Sequence, residues 1–209
     1  MKILLISATK NEIPFFDPLD SNMDILITGA GIASTLYHLQ KRIHQIDYDL
    51  IVQAGIAGSF SNELQPGETV VVKLDTFGDL GIDEDQQFHS LFNKDLADKD
   101  AFPFSDGWLM NSSELINSLP CKKVKAITVN NVTDSAIINQ NRILVFGADI
   151  ETMEGAALHY VCLQENIPFL QLRTISNQVG IRDKAQWNLS GSVANLNTSL
   201  HKLFSQLNS

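Results

Sequence analysis

The sequence predicts an α/β fold: one domain over residues 1–209, three layers deep (α/β/α), around a central mixed sheet that is largely parallel. Two patterns carry this expectation. Short apolar runs alternate with stretches whose apolar residues recur every three or four positions. The early strand-like runs end at glycines, as strand-to-helix turns do. A length of 209 residues suits a single core, and no internal repeat is present.

Taken in order, Ile3 to Ile6 reads as a buried strand. Asp24 to Thr28 reads as a second, ending at Gly29-Ala30-Gly31. Ile32 to Ile46 carries Leu36, Leu39, Ile43 and Ile46 on one face, an amphipathic helix. Leu50 to Ala54 reads as a strand ending at Gly55, and Thr69 to Leu74 as another, rich in β-branched residues. Val124 to Val129 and Leu144 to Phe146 read as further short strands. Glu151 to Asn166 reads as a helix stopped by Pro168. Phe169 to Ile175 reads as the last strand. Val193, Leu196, Leu200, Leu203 and Leu207 share one face of a C-terminal helix. The stretch 75–119 has weaker periodicity and reads as an excursion from the sheet, partly loop.

Composition excludes several classes of function. Hydrophobic residues make up 44% and charged residues 19%, values of a folded globule rather than a disordered chain. The net charge of -9 and the absence of a basic run argue against nucleic-acid binding. Cys121 and Cys162 are too few for a disulfide framework or a thiolate zinc cluster. Five scattered histidines lack ligand spacing, so no metal is expected. The N-terminal apolar run is broken by Ser7, Thr9, Lys10, Asn11 and Glu12, unlike a signal peptide. No run approaches the roughly 20 apolar residues of a membrane span. The expectation is a cytoplasmic protein without cofactor, nucleic-acid or membrane partners.

Ligands of open α/β sheets bind beyond the C-terminal ends of the strands. The segments expected there are 7–12, 28–31, 54–58, 149–154 and 176–177. Each has an ordinary explanation. Glu12 would be a solvated turn residue. Glu151 and Glu154 would favour the dipole of a first helical turn. Asn177 would form a turn. The Gly29-Ala30-Gly31 turn lacks the third glycine of a dinucleotide fingerprint. Arg173, in an otherwise apolar strand, is harder to dismiss, because a buried charge needs a partner.

Together the segments carry more. Ala54-Gly55-Ile56-Ala57-Gly58, Gly67 to Val71, Glu151-Thr152-Met153-Glu154-Gly155-Ala156-Ala157 and Pro168 to Asn177 occur in this order. The series resembles the nucleoside phosphorylase and nucleosidase superfamily, which includes the methylthioadenosine/S-adenosylhomocysteine nucleosidases. Phe77-Gly78-Asp79-Leu80-Gly81-Ile82, the run Ser176 to Asp183 and Trp187 make it most similar to the futalosine hydrolases of the alternative menaquinone pathway. The resemblance spans most of the chain. It implies a homodimer or larger homo-oligomer acting on a purine nucleoside. It implies that Glu12 activates water, that Glu154 holds the ribose hydroxyls and that Met153 packs on the sugar. It further implies that Ala57 and Gly58 line the pocket, that Arg173 positions a carboxylate, that Ser176 is among the substrate-binding residues, and that base-binding backbone lies near Val132 and Thr133.

Those roles suit cleavage of an N-glycosidic bond, where an anion stabilises the positive sugar and a second carboxylate takes a proton from water. One departure matters. The adenosine-type nucleosidases carry aspartate where this chain has Asn177. An asparagine amide donates a hydrogen bond but delivers no proton, which favours a 6-oxopurine such as hypoxanthine; Asp183 is the alternative acid. The arginines are Arg42, Arg142, Arg173 and Arg182. None lies in the first two turns, where a phosphate nucleophile would need one. The expectation is hydrolysis, with adenosine-type cleavage, phosphorolysis or bare nucleoside binding as the alternatives.

Overall fold

The computed structural model describes residues 1–14, 16, 22–181 and 183–207. Its strands are β1 (Ile3–Ser7), β2 (Met23–Ile27), β3 (Leu50–Ser59), β4 (Thr69–Asp75), β5 (Gly81–Glu84), β6 (Gln87–Ser90), β7 (Leu109–Met110), β8 (Lys122–Thr128), β9 (Ile150–Thr152) and β10 (Phe169–Gln178). Its α-helices are α1 (Ile32–Ile43), α2 (Leu115–Ser118), α3 (Ala136–Phe146), α4 (Gly155–Gln164) and α5 (Leu189–Leu207).

The main sheet runs β2-β1-β3-β9-β8-β4-β10, and β10 also pairs with β3. Five strands therefore close into a ring, from which β1 and β2 extend as an open wing. The β1–β2, β1–β3, β3–β10, β4–β8 and β8–β9 pairings are parallel. The β4–β10, β3–β9 and β4–β7 pairings are antiparallel. The sheet is mixed and mostly parallel, as expected.

Alternation along the strands sorts side chains to the two faces of the sheet and to the inside of the ring. Ile3, Leu5, Leu50, Val52 and Ala54 face α5 and meet Leu196, Leu200, Leu203 and Phe204. Leu4, Ile6 and Ile51 face the other way, toward Leu39 of α1 and Leu158 and Val161 of α4. Strands covered on both faces read as unbroken apolar runs. Inside the ring, Ala57, Val70, Val72, Val124, Ala126, Ile150 and Ile175 form a third core.

Three expected elements differ. Leu144 to Phe146 ends helix α3 instead of forming a strand. Ser135 caps that helix through a side chain that accepts from the Ile138 N–H, and Gly147 ends it at φ 55° in the left-handed region. The helix expected from Glu151 starts at Gly155; Ile150–Thr152 is a strand instead. Ile150 completes the ring core, and pairing with β3 and β8 overrides the helical pattern. The turn expected at Gly55 is continuous strand, because β3 keeps pairing with β10 as far as Ser59.

The excursion at 75–119 holds the β5–β6 hairpin, with Asp85 and Gln86 at positive φ in its turn. It also holds β7, which pairs with β4, and the short helix α2.

Candidate active site

The first strand-end turn builds around a carboxylate. Lys10–Glu12 forms a single 3-10 turn after β1, and Glu12 folds back on it. Its Oε2 accepts from Ser7 Oγ at 3.0 Å and from the Thr9 N–H at 3.1 Å. Its Oε1 accepts from the Ile56 N–H of β3 at 3.2 Å. The turn thereby ties Glu12 to the neighbouring strand, where a solvated side chain would have turned outward.

Glu154 arrives from the far end of the sequence, between β9 and α4. It is buried, and its Oε1 accepts from the Gly31 N–H at the start of α1, 3.1 Å away. A helix N-terminus favours an anion there. Its Oε2 lies 3.5 Å from Arg173 Nη1, and Arg173 Nη2 donates to Gln53 Oε1 at 2.9 Å. Burial pushes the Glu154 pKa up. The positive charge of Arg173 and the Gly31 N–H pull it down, and the negative charge of Glu12 raises it again.

Gly55 explains why the three side chains can meet. A Cβ there would overlap Arg173 Nη1 and lie 2.9 Å from Glu12 Oε1. Only a residue without a side chain lets the guanidinium and the carboxylate cross β3 at this height.

Beside this trio lies a cavity of about 130 Å³. Ile56, Ala57, Gly58, Met153, Ser176 and Asn177 line it, as do Val132, Glu151, Thr152 and Trp187. A bulge in β10 between Ile175 and Asn177 shifts the register against β3, and bulges re-aim side chains. Ser176 Oγ lies 2.7 Å from Asn177 Oδ1, and Asn177 Nδ2 donates to the Gln178 carbonyl at 2.9 Å. Trp187 closes one side, its Nε1 donating to the Ile181 carbonyl. A larger groove, about 910 Å³, lies between α5 and the start of β4, and none of the sequence-predicted site residues lines it.

Of those residues, Thr133 does not line the cavity. It precedes the cap of α3, with its Oγ1 accepting from the Ser135 N–H. Asp183 is exposed and held by the Ala185 N–H and Gln186 Nε2, which lower its pKa. It serves its own turn and is poorly suited to donate a proton. Arg182 lies outside the described residues.

Two features escaped the sequence analysis. Glu151 does not sit in a helical turn; it forms a buried ion pair with Arg142 at 3.2 Å. Asp79 accepts from the Asn130 and Asn131 N–H groups and so clamps the loop that carries Val132. The first needs the β9–α3 packing to be seen. The second was signalled by the Phe77 to Ile82 motif, without its purpose.

Comparison with known proteins gives the chain its family. Residues 25–207 match the family model of the phosphorylase superfamily. The chain belongs to that superfamily. Among superfamily members, it is 30% identical to the futalosine hydrolase of Streptomyces coelicolor, over 88% of this chain and 80% of the relative. It is 26% identical to the futalosine hydrolase of Thermus thermophilus, over 97% and 95%. Among solved superfamily structures, the 5'-methylthioadenosine/S-adenosylhomocysteine nucleosidase of Helicobacter pylori aligns with a TM-score of 0.79 at 17% identity, covering 98% of each chain. The futalosine hydrolase of the same organism aligns with a TM-score of 0.78 at 17% identity, covering 98% and 97%. These two likenesses show the fold alone. Among the described residues, no group of three or more His, Cys, Asp or Glu side chains could hold a metal ion, and no helix is long and apolar enough to cross a membrane.

Proposed function

We propose that this protein is a futalosine hydrolase: futalosine plus water gives hypoxanthine and dehypoxanthine futalosine. The observation that carries the reading is the convergence of Glu12, Glu154 and Arg173 over Gly55, next to a cavity edged by Asn177. The relatives named futalosine hydrolase support the choice of substrate.

In this mechanism Glu154 accepts from the ribose hydroxyls and its charge stabilises the sugar as C1' turns positive. Arg173 holds that carboxylate in place. The N-glycosidic bond breaks, and its electron pair leaves with the base. Asn177 donates to the departing purine, which takes its proton from solvent. Glu12 removes a proton from the water that attacks C1', and general base catalysis contributes about 10²–10⁴-fold. Met153 packs on the sugar.

Water suits the nucleophile site better than phosphate does. Among the described residues, Arg42 is engaged by Asp24 and Tyr48, Arg142 by Glu151, and Arg173 by Glu154 and Gln53. The protein acts as a cytoplasmic homo-oligomer in menaquinone biosynthesis.

The test is base release, read by chromatography, from futalosine, inosine, methylthioadenosine and S-adenosylhomocysteine, with and without phosphate. Phosphate-independent hypoxanthine release from futalosine is expected. Glu12→Ala and Glu154→Ala should each abolish most turnover with the fold intact. Adenine release would move the protein to the adenosine-type nucleosidases, and phosphate dependence to the phosphorylases.

A further inference from the structure

We infer that Glu151 reads the N1–H of a 6-oxopurine base, and that its buried ion pair with Arg142 positions it to do so. The inference rests on the proposed cleavage of a hypoxanthine nucleoside and names the residue that selects that base.

Glu151 sits in β9 directly opposite Gly58 of β3. A Cβ at Gly58 would lie 3.0 Å from Val179 Cγ2, 3.5 Å from Glu151 Cγ and 3.6 Å from Asn177 Nδ2. The two polar side chains therefore approach the same point of β3, and both line the cavity. Glu151 and Arg142 have side chains only 4% and 5% exposed, 3.2 Å apart, and Arg142 Nη2 also donates to the Asn131 carbonyl at 2.8 Å. A buried ion pair adds little stability over an apolar pair of the same size. Stability therefore gives no reason for this one, whereas recognition of a polar base edge does.

The chemistry of the two bases decides the class. Hypoxanthine presents an acceptor, O6, next to a donor, N1–H. Adenine presents the reverse, a donor amino group next to an unprotonated N1. Asn177 Oδ1 is occupied by Ser176 and one amide hydrogen by the Gln178 carbonyl, so its second hydrogen is the donor offered to the base. A carboxylate is acceptor-only and has about four acceptor positions, enough for Arg142, its other contacts and a base N–H together. Donor and acceptor side by side match hypoxanthine. Against adenine, the carboxylate would face the N1 lone pair, a repulsive contact that rejects the wrong base. Arg142 acts through Glu151, as a positioning residue.

The test compares kcat/KM for futalosine and for the same nucleoside carrying adenine. The proteins are the wild type, Glu151→Gln, Arg142→Lys and the double variant Glu151→Leu/Arg142→Met. A glutamine amide can donate to the N1 of adenine as readily as it accepts from N1–H. Glu151→Gln should therefore narrow the preference for the 6-oxopurine by about 10- to 100-fold. Arg142→Lys should keep most of it, and the double variant should lose it while still folding. An unchanged preference in Glu151→Gln and in the double variant, with hypoxanthine still released by the wild type, overturns this inference alone. A wild type that releases no hypoxanthine overturns the functional reading, and this inference with it. If the variants do not fold, product inhibition of the wild type decides. Hypoxanthine should bind at least about 10-fold tighter than 1-methylhypoxanthine, and equal binding overturns the inference.

Discussion

Gly55 carries a residue-scale consequence. The smallest possible addition, a methyl group, would push Arg173 and Glu12 off β3. A displacement of about 1 Å in positioning groups costs on the order of 10² in rate. Gly55→Ala should therefore lower kcat for base release by about 100-fold or more, with the circular dichroism spectrum unchanged. Wild-type turnover in that variant would show that the trio does not need this crossing. Sequence reasoning found Gly55 but took it for a strand end. It also found Glu12, whose ordinary explanation was a solvated turn residue. What separates the two readings is the Ile56 N–H, a donor 44 positions away that only the adjacent strand supplies.

At the scale of elements, β4, α4 and β10 enclose two titratable side chains. Asp75 and Gln171 both crowd the position of Gly155, so α4 starts where no side chain can fit. Burial pushes the Asp75 pKa up to about 7, against the hydrogen bond from Thr128, the neighbouring Gln171 amide and the charge of Arg173. Burial pushes the His159 pKa down to about 4, although its ring donates to the Leu109 carbonyl. Native Asp75 holds its proton more tightly than in the unfolded chain, so its contribution falls as pH rises from about 3.8 to about 7. Native His159 holds its proton less tightly, so its contribution falls as pH drops from about 6.5 to about 4. Between pH 4 and 6.5 the two slopes oppose each other. Relative to wild type, Asp75→Asn should gain stability with rising pH in that window, and His159→Gln should lose it. Each slope should be about 1.4 kcal/mol per pH unit. Urea denaturation at pH 4.5 and 6.5 measures this, and parallel profiles for all three proteins would contradict it.

The expected elements that differ share a physical cause. A short apolar run such as Leu144-Val145-Phe146 suits strand or helix equally; Gly147 next to it ends either, and the cap that decides for helix, Ser135, lies at the far end of α3. Ile150–Thr152 is strand because the ring needs a fifth member, a requirement no local window contains.

At the scale of the whole molecule, closure of the ring sets β9 and β10 on either side of β3. That puts Glu151 and Asn177 at one wall, although 26 positions separate them. The helical layers leave one surface unexplained by the fold. On α3, Ile137, Ile138, Ile143 and Leu144 are exposed, and apolar patches of this kind mark protein contacts. Sedimentation velocity should give a mass that is a multiple of 23.1 kDa. Ile137→Asp combined with Leu144→Asp should shift it toward a single chain. A wild-type mass of one chain would remove the oligomer from the proposal.

The sequence by itself determined the fold class, the superfamily and the short motifs that supply the polar groups. Periodicity and turn chemistry, written within a few residues of each other, suffice for the fold class, whereas the superfamily came from the resemblance of a motif series ordered along the chain. The tertiary structure alone decided which groups meet. Glu12, Gly31, Gly55, Glu154 and Arg173 come from five separate segments, and the bulge in β10 turns Asn177 toward Gly58. Glu151 found its partner Arg142 only when β9 was laid against α3. Contacts of this kind follow from strand order and ring closure, which depend on the packing of the whole chain at once.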